Sequence, residues 1–251
     1  MQSEKELELC KRRFLDLANV AYYREYAVFS DFLSLNEQSI FYEIQQQCPA
    51  AFCKMWGGNE MAERKMLCFS GQEVGVEEFP IRVLQIRPSN LKFSGNLTHR
   101  DYLGAILGLG IERSKIGDLV VNDQGAYVYV EDGMFEYLCS SLEQVKHTKV
   151  SCVELKESFE WEQKYKEITG TVSSVRLDSV IALAFHTSRS SLLEMVSSGK
   201  VFVNGRLVTT NGYRLKEKDI ISVRGKGKFR LNEIGEVTKK GKIRITVEQY
   251  V

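Results

Sequence analysis

The sequence has few prolines, few histidines and no long apolar run. Only three prolines and three histidines occur among its 251 residues. The longest apolar stretch, Leu103–Ile111, contains three glycines and is far shorter than the roughly 18 to 20 residues of a membrane-spanning helix. The acidic N-terminus lacks the basic and apolar regions of a secretory signal. We therefore expect no membrane span and a cytoplasmic location.

The sequence lacks the residue patterns that are typical of metal, cofactor and disulfide sites. The six cysteines are dispersed without a C-x-x-C pair, and no histidine lies near a cysteine pair. We expect reduced cysteines in the core rather than a zinc site or a disulfide framework. The run Gly108–Gly110 lacks the third glycine and the downstream acid of a dinucleotide-binding loop. The sequence thus predicts neither a bound metal nor a cofactor.

Charge is distributed unevenly along a chain whose formal net charge is only +1. Residues 176–251 contain fifteen Lys and Arg but seven Asp and Glu, a net charge of +8, whereas residues 1–175 carry −7. A basic domain attached to an acidic remainder is typical of nucleic-acid binders, because cations that neutralise phosphates release condensed counterions. Solvated surfaces also carry such runs, so charge alone leaves polyanion binding open.

Periodicity in residues 1–78 predicts a small mixed α/β module. Apolar residues that recur every three or four positions predict a helix over Ser3–Tyr23. Aromatic character predicts two short strands around the turn Gly57-Gly58-Asn59. Besides the first helix, the predicted elements are helices over Val28–Phe32 and Leu35–Gln47 and strands over Phe52–Trp56 and Lys65–Phe69.

Residues 79–157 predict a middle domain with the element order β-α-β-β-α-β, followed by a linker over 158–174. This order is that of the ferredoxin-like fold, which RNA-recognition modules share. Tyr127 and Tyr129 lie on one side of their strand. They either stack bases or face the helices, because they are displaced by one residue from the aromatic positions of RNA-recognition modules. The predicted strands are Ile81–Arg87, Asp118–Val121, Ala126–Val130 and Thr148–Leu155, and the helices are Thr98–Leu107 and Gly133–Val145.

The most informative stretch begins at Arg176. Arg176-Leu177-Asp178 opens one apolar helical stripe, and Ser188-Arg189 opens a second helix. With Ser188 as its cap, the second helix presents free backbone N–H groups, the positive end of its dipole and Arg189, which together favour a phosphate. Gly199-Lys200-Val201 then leads to Asn204-Gly205, a strong signal for a β-hairpin.

These spaced elements resemble the S4 RNA-binding domain over Val175–Gly225. The resemblance implies a helix-turn-helix and a β-hairpin whose basic face lies on the phosphate backbone of structured RNA. It also implies that Asp178 fixes an arginine rather than meeting a phosphate. We expect this domain to span residues 175–251, with a basic C-terminal extension. The expected RNA-binding residues, which should form one rigid basic face, are Arg176, Ser188, Arg189, Lys200, Asn204, Arg206, Arg224, Lys226, Lys228 and Arg230.

Over nearly its whole length, the chain resembles the YlmH family of bacterial S4-domain proteins. The resemblance rests on the N-terminal module, on Thr98–Leu107, Gly108–Arg113 and Ile116–Asp118, and on the S4 domain at the end. It implies an α+β protein whose middle domain binds RNA. It further implies a role at the large ribosomal subunit, where the family handles stalled peptidyl-tRNA after subunit splitting. The expected partners are rRNA, tRNA and the large ribosomal subunit, and a monomer is expected.

Two other functions stay open at this point. An S4-bearing RNA-modifying enzyme such as a pseudouridine synthase has its catalytic aspartate in an Arg-Leu-Asp context, like that of Asp178. In those enzymes the S4 domain precedes a much longer catalytic domain, whereas only a short segment follows Asp178 here. We therefore expect a binding protein without catalytic activity. A cell-division scaffold is the other alternative, because genes of this family often lie beside cell-division genes, but the sequence has no coiled coil to support it.

Overall fold

The computed structural model describes residues 4–50, 52–90, 97–155 and 165–250, without the side chains of Arg189 and Ser190. The chain divides between residues 161 and 162 into two compact units, called here the N-terminal unit and the C-terminal unit. Both units combine helices with β-sheet. The predicted α+β class is confirmed.

The N-terminal unit begins with two helices packed on a small sheet. Its first elements are α1 (Glu4–Arg24), β1 (Val28–Phe29), α2 (Leu35–Ile44), β2 (Phe52–Trp56) and β3 (Met66–Ser70). The sheet has the order β1-β3-β2. The Ser34 hydroxyl accepts a hydrogen bond from the Glu37 N–H, and the Ser34 N–H donates to the Glu37 carboxylate, which caps α2. Phe14 and Phe41 of the helices pack with Phe69 of β3.

The predicted helix over Val28–Phe32 is wrong, because Val28–Phe29 form strand β1. The Ser30 N–H donates to the Leu67 carbonyl at 2.8 Å, and the Leu67 N–H donates to the Ser30 hydroxyl at 2.9 Å. A backbone that bonds to β3 cannot make the local bonds of a helix. The other predicted helices and strands of this module are found, and a 3-10 turn at Gln45–Gln47 ends the helix predicted over Leu35–Gln47.

The rest of the N-terminal unit has the predicted β-α-β-β-α-β order. Its elements are β4 (Ile81–Pro88), α3 (His99–Gly108), β5 (Ile116–Asn122), β6 (Gly125–Glu131), α4 (Asp132–Ser141), β7 (Gln144–Val145) and β8 (Thr148–Glu154). The strand order β5-β6-β4-β8-β7 is the antiparallel ferredoxin-like arrangement with one short strand added at the edge. That added strand replaces the last turn of the helix predicted over Gly133–Val145.

The two tyrosines of β6 face away from the helices of the middle domain. Val128, between them in sequence, packs with Ile106 of α3 and Leu138 of α4. Since successive strand residues point to opposite faces, Tyr127 and Tyr129 lie on the other side of the sheet. The alternative that they face the helices is therefore wrong.

The N-terminal module covers Tyr129. Its ring packs with Phe32, Met66 and Phe79, and it is 1% exposed. A Cβ added at Gly117 would lie 2.7 Å from the Phe32 ring, so glycine is what lets that ring approach β5. Base stacking on Tyr129 is excluded by this packing, because no base can reach a buried ring.

Polar groups also fix the contact between the N-terminal module and the sheet of the middle domain. The Asp118 carboxylate accepts hydrogen bonds from the backbone N–H groups of Glu63 and Arg64, at 2.7 and 3.2 Å. The Arg64 guanidinium donates to the carbonyls of Phe32 and Ile116, at 2.7 and 2.9 Å. Burial and, to a smaller extent, the charge of Arg64 lower the pKa of nearby Arg113 to about 10. No short-range pattern in the sequence indicates these contacts, because they join residues about 50 positions apart.

The C-terminal unit is one antiparallel sheet with two helices. Its elements are β9 (Tyr165–Val172), α5 (Leu177–Phe185), α6 (Arg189–Ser197), β10 (Val201–Val203), β11 (Arg206–Leu207), β12 (Ile220–Val223), β13 (Gly227–Val237) and β14 (Ile243–Tyr250). The strand order is β11-β10-β12-β13-β14-β9. Val180 and Leu192 of the helices pack against Phe229 and Val247 of the sheet.

Strand β9 lies within the stretch expected to be a linker. It pairs with β14 along its whole length, from Val172 opposite Ile243 to Tyr165 opposite Tyr250. The helix-turn-helix and hairpin that the S4 resemblance implies are found as α5, α6 and the β10–β11 hairpin. The boundaries 1–78, 79–157 and 175–251 stay predictions.

Candidate nucleic-acid interface

The N-terminus of α6 has the features predicted for a phosphate site. The Ser188 hydroxyl accepts a hydrogen bond from the Ser191 N–H at 3.4 Å, and the first turn contains no acidic residue. The N-terminal end of the helix carries the positive end of the dipole. Arg189 is the first helical residue, but its side chain lies outside the described part of the structure. The local geometry thus favours an anion here.

The N-terminus of α5 confirms the interpretation of Asp178. The Asp178 carboxylate lies 3.4 Å from Nε of Arg176 and accepts a hydrogen bond from the Ser179 N–H at 2.9 Å. The Leu177 N–H donates to the Tyr213 carbonyl at 2.9 Å, which ties the helix to the loop before β12. Asp178 therefore positions Arg176, which stays exposed at the surface.

Asn204 has a structural role in the β10–β11 hairpin. Its φ of 48° and the φ of 77° at Gly205 are both positive, as a type I′ turn requires. Its side-chain amide donates to the Asp219 carboxylate at 2.8 Å, and its side-chain carbonyl accepts from the Ile220 N–H at 2.9 Å. Contact between Asn204 and RNA stays a prediction. Arg206 follows in β11 and is half-buried.

Lys228 and Arg230 point away from the helices. Phe229 and Leu231, which alternate with them in β13, are fully buried against the helices. By strand alternation, the two basic side chains lie on the opposite face of the sheet. There, Nζ of Lys228 is 4.5 Å from the centre of the Tyr250 ring, and the Arg230 guanidinium carbon is 5.2 Å from that of Tyr165.

Arg230 is also paired with an acid on the same face. Its Nε and Nη2 donate to Oε2 of Glu248 at 3.0 and 2.6 Å. Burial opposes the charge of Arg230, but the hydrogen bonds and negative charge of Glu248 outweigh this effect and raise the pKa. Arg230 is therefore a fixed cation whose charge Glu248 largely balances.

Lys200, Arg224 and Lys226 are exposed near the β12–β13 turn. The Arg224 N–H donates to the Lys200 carbonyl at 2.9 Å, so this bond extends the β10–β12 ladder by one pair. The extension places Lys200 and Arg224 on the face opposite the buried Val201 and Val223. The Arg224 guanidinium carbon is 4.8 Å from the centre of the Phe202 ring.

The predicted residues do not form one face, so that expectation is wrong. Arg176, Ser188 and Arg189 belong to the helical layer. Strand alternation places a second group on the opposite side of the sheet, namely Lys200, Arg224, Lys228 and Arg230. Sequence reasoning missed the aromatic partners of these cations, although basic and aromatic residues alternate with apolar ones in the strands. We call this surface the outer sheet face, formed by Lys200, Phe202, Arg224, Lys228, Arg230, Tyr165 and Tyr250.

Within the part of the chain that the structure describes, cysteines and acids do not gather into a metal-binding group. All six cysteines are free, and burial raises the pKa of Cys53 and Cys68 to about 11, which keeps their thiols protonated. Among the residues that the structure describes, no group of three potential metal ligands converges. Within the same residues, no helix has the length and apolar character to cross a bilayer.

Comparisons with known proteins match both halves of this arrangement. Residues 75–158 match the family model described as "Putative RNA-binding domain in YlmH", and residues 175–221 match the S4 domain. The ribosome-associated protein quality control protein P2 of Bacillus subtilis is 31% identical over 224 residues, which cover 88% of this chain and 86% of that protein. The small ribosomal subunit protein uS4 of Kosmotoga olearia is 37% identical over 78 residues, or 29% of this chain and 38% of that protein.

One solved structure, the cell division protein ylmH from Streptococcus pneumoniae, aligns with a TM-score of 0.48 and 17% sequence identity. The alignment covers 62% of this chain and 94% of that one.

Proposed function

Because this chain belongs to the YlmH family of bacterial S4-domain proteins, we propose that it is an RNA-binding protein that works on the ribosome. In this proposal, the C-terminal unit docks on structured rRNA of the large ribosomal subunit. We propose stalled peptidyl-tRNA as the substrate of the process, and the name of the Bacillus subtilis relative, ribosome-associated protein quality control protein P2, supports a quality-control role on the ribosome. The protein acts in the cytoplasm as a monomer.

The observation that carries the proposal is the concentration of positive charge on an S4 architecture. Residues 176–251 have a net charge of +8, and α6 begins with a serine cap and no acid in its first turn. Contacts of cations and free N–H groups with phosphates fix the position of the protein on the nucleic acid but carry no sequence information. Such a surface recognises the shape of folded RNA, which suits rRNA and tRNA better than a linear sequence motif.

We propose binding without catalysis. The candidate catalytic residue of the enzyme alternative, Asp178, is held by Arg176 and by the Ser179 N–H. These contacts fit a residue that orients the start of α5. The names of the matched relatives describe ribosome-associated and ribosomal proteins and contain no catalytic activity.

Sedimentation with separated ribosomal subunits tests the choice of partner. The purified protein should pellet with large subunits and stay in the supernatant with small subunits at equal concentration. Binding should increase when the large subunits carry peptidyl-tRNA, if that tRNA is part of the surface recognised. Equal pelleting with both subunits would contradict docking on the large subunit, and no pelleting with either would contradict ribosome binding altogether.

A further inference from the structure

The outer sheet face places aromatic rings in one row across the sheet. Strand pairing sets Phe202 opposite Ser222 and Ser222 opposite Lys228. The register of β13, β14 and β9 continues this row to Tyr250 and Tyr165. From β10 to β9 the row crosses four strand spacings, or about 19 Å. Rings at both ends of the row therefore share one surface.

Each ring of the row is paired with a cation. Arg224 lies over Phe202, Lys228 over Tyr250 and Arg230 over Tyr165, at 4.8, 4.5 and 5.2 Å. The rings of Tyr165 and Tyr250 also meet edge to face, with their centres 5.2 Å apart and an angle of 76°. Both helices of the unit pack on the other side of the sheet. The outer sheet face thus combines aromatic rings with positive charge at fixed positions.

This combination fits unpaired nucleotides better than duplex RNA. Aromatic side chains and guanidinium planes stack on bases, and only unpaired bases offer their faces. The nearby exposed cations, Lys200, Arg224 and Lys226, suit the phosphates of the same strand. An acidic protein segment could satisfy the cations but would leave the row of rings without stacking partners.

We propose that the outer sheet face binds unpaired RNA nucleotides, with bases stacked on Phe202, Tyr250 and Tyr165 and phosphates held by neighbouring cations. The inference rests on the proposed function and deepens it, because it assigns single-stranded RNA to one side of the sheet. Structured RNA then meets the helical layer at the N-termini of α5 and α6. In this proposal, bases stack on the sheet of the C-terminal unit and not on that of the middle domain, because the N-terminal module buries Tyr129 there.

Fluorescence anisotropy with two RNA probes tests the proposal. One probe is a fluorescein-labelled oligouridine, which forms no secondary structure, and the other is a labelled RNA duplex. The variant Tyr165→Leu, Tyr250→Leu removes both rings but keeps apolar volume. We expect its affinity for oligouridine to fall roughly tenfold or more for each stacked base that is lost. Its affinity for the duplex should change by less than about twofold.

Two further variants keep the test decisive. Tyr23→Leu removes a ring that is 79% exposed in the N-terminal unit and should leave both affinities unchanged. If the double variant unfolds at a lower temperature, Phe202→Leu at the other end of the row decides, with an expected loss of several-fold in oligouridine affinity. Unchanged oligouridine binding in these variants, or no binding of oligouridine by a wild type that binds duplex, would overturn the inference alone. A wild type that binds neither probe would contradict the proposed function itself.

Discussion

The variant Arg189→Glu, Lys200→Glu is expected to lose co-sedimentation with large ribosomal subunits while its far-UV circular dichroism spectrum stays that of the wild type. Arg189 opens α6, and Lys200 is exposed at the end of the β10–β12 ladder. A hydrogen bond to a charged group contributes about 1.5–3 kcal/mol. Losing two such phosphate contacts should therefore lower the affinity by about a hundredfold or more, and the new carboxylates add repulsion.

A matched charge reversal in the N-terminal unit controls for net charge. Lys5 and Arg12 are exposed on α1, and Lys5→Glu, Arg12→Glu changes the total charge of the protein by the same amount. This control should still pellet with large subunits. Loss of pelleting in both variants would show that only overall charge matters. If the Arg189→Glu, Lys200→Glu variant still pellets with large subunits, these cations of the C-terminal unit do not contribute to ribosome binding, and the prediction is contradicted.

Phe32→Ala is expected to destabilise the N-terminal unit by about 3–5 kcal/mol, the usual cost of truncating a buried phenylalanine. The Phe32 ring is 1% exposed and packs with Met66 and Tyr129. Its removal would leave a cavity between the N-terminal module and the sheet of the middle domain. The measurement is urea unfolding followed by tryptophan fluorescence, because Trp56 of β2 packs against the same cluster as Phe32.

Phe52→Ala is the matched control for this prediction, because that ring is 46% exposed. Surface substitutions of this kind usually change the free energy of unfolding by no more than about 0.5 kcal/mol. Similar small losses in both variants would mean that Phe32 is not buried against β5 and β6. Tyr129 would then be accessible, and the middle domain could use its sheet for RNA after all.

Local patterns in the sequence were sufficient for the elements of the C-terminal unit that lie close along the chain. The cap at Ser188, the turn at Asn204-Gly205 and the apolar stripes of α5 and α6 each depend on residues within a few positions. The S4 resemblance implies that Asp178 fixes an arginine, and Arg176 is its partner in the structure. For these elements of the C-terminal unit, the prediction from sequence was correct.

Two of the errors arose where the partner of an element is distant. Strand β9 pairs with β14, about 80 positions away, and β1 pairs with β3, about 40 positions away. Neither partner could be inferred from periodicity in a short window. The same reason explains why the sequence did not show that the N-terminal module covers Tyr129.

The prediction that the RNA-binding residues form one face was wrong for a different reason. Motifs and charge indicate which basic residues could bind RNA, but they do not show on which side of β13 each one lies. Lys228 and Arg230 alternate with Phe229 and Leu231, and that pattern in the sequence already separates them from the helical layer. The sequence predicts a linker over 158–174, where β9 lies, and therefore does not indicate Tyr165 and its neighbour Tyr250 as aromatic partners.

The salt dependence of binding to large ribosomal subunits tests the central claim, that cations of the C-terminal unit bind RNA phosphates. If six to eight phosphates are neutralised, log K should fall linearly with log salt, with a slope between about −4 and −7. The Arg189→Glu, Lys200→Glu variant should show a slope that is less steep by about 1 for each lost contact. Tight binding that is insensitive to salt would instead indicate an apolar contact, for example with a ribosomal protein. It would contradict the claim that cations of the C-terminal unit bind RNA phosphates.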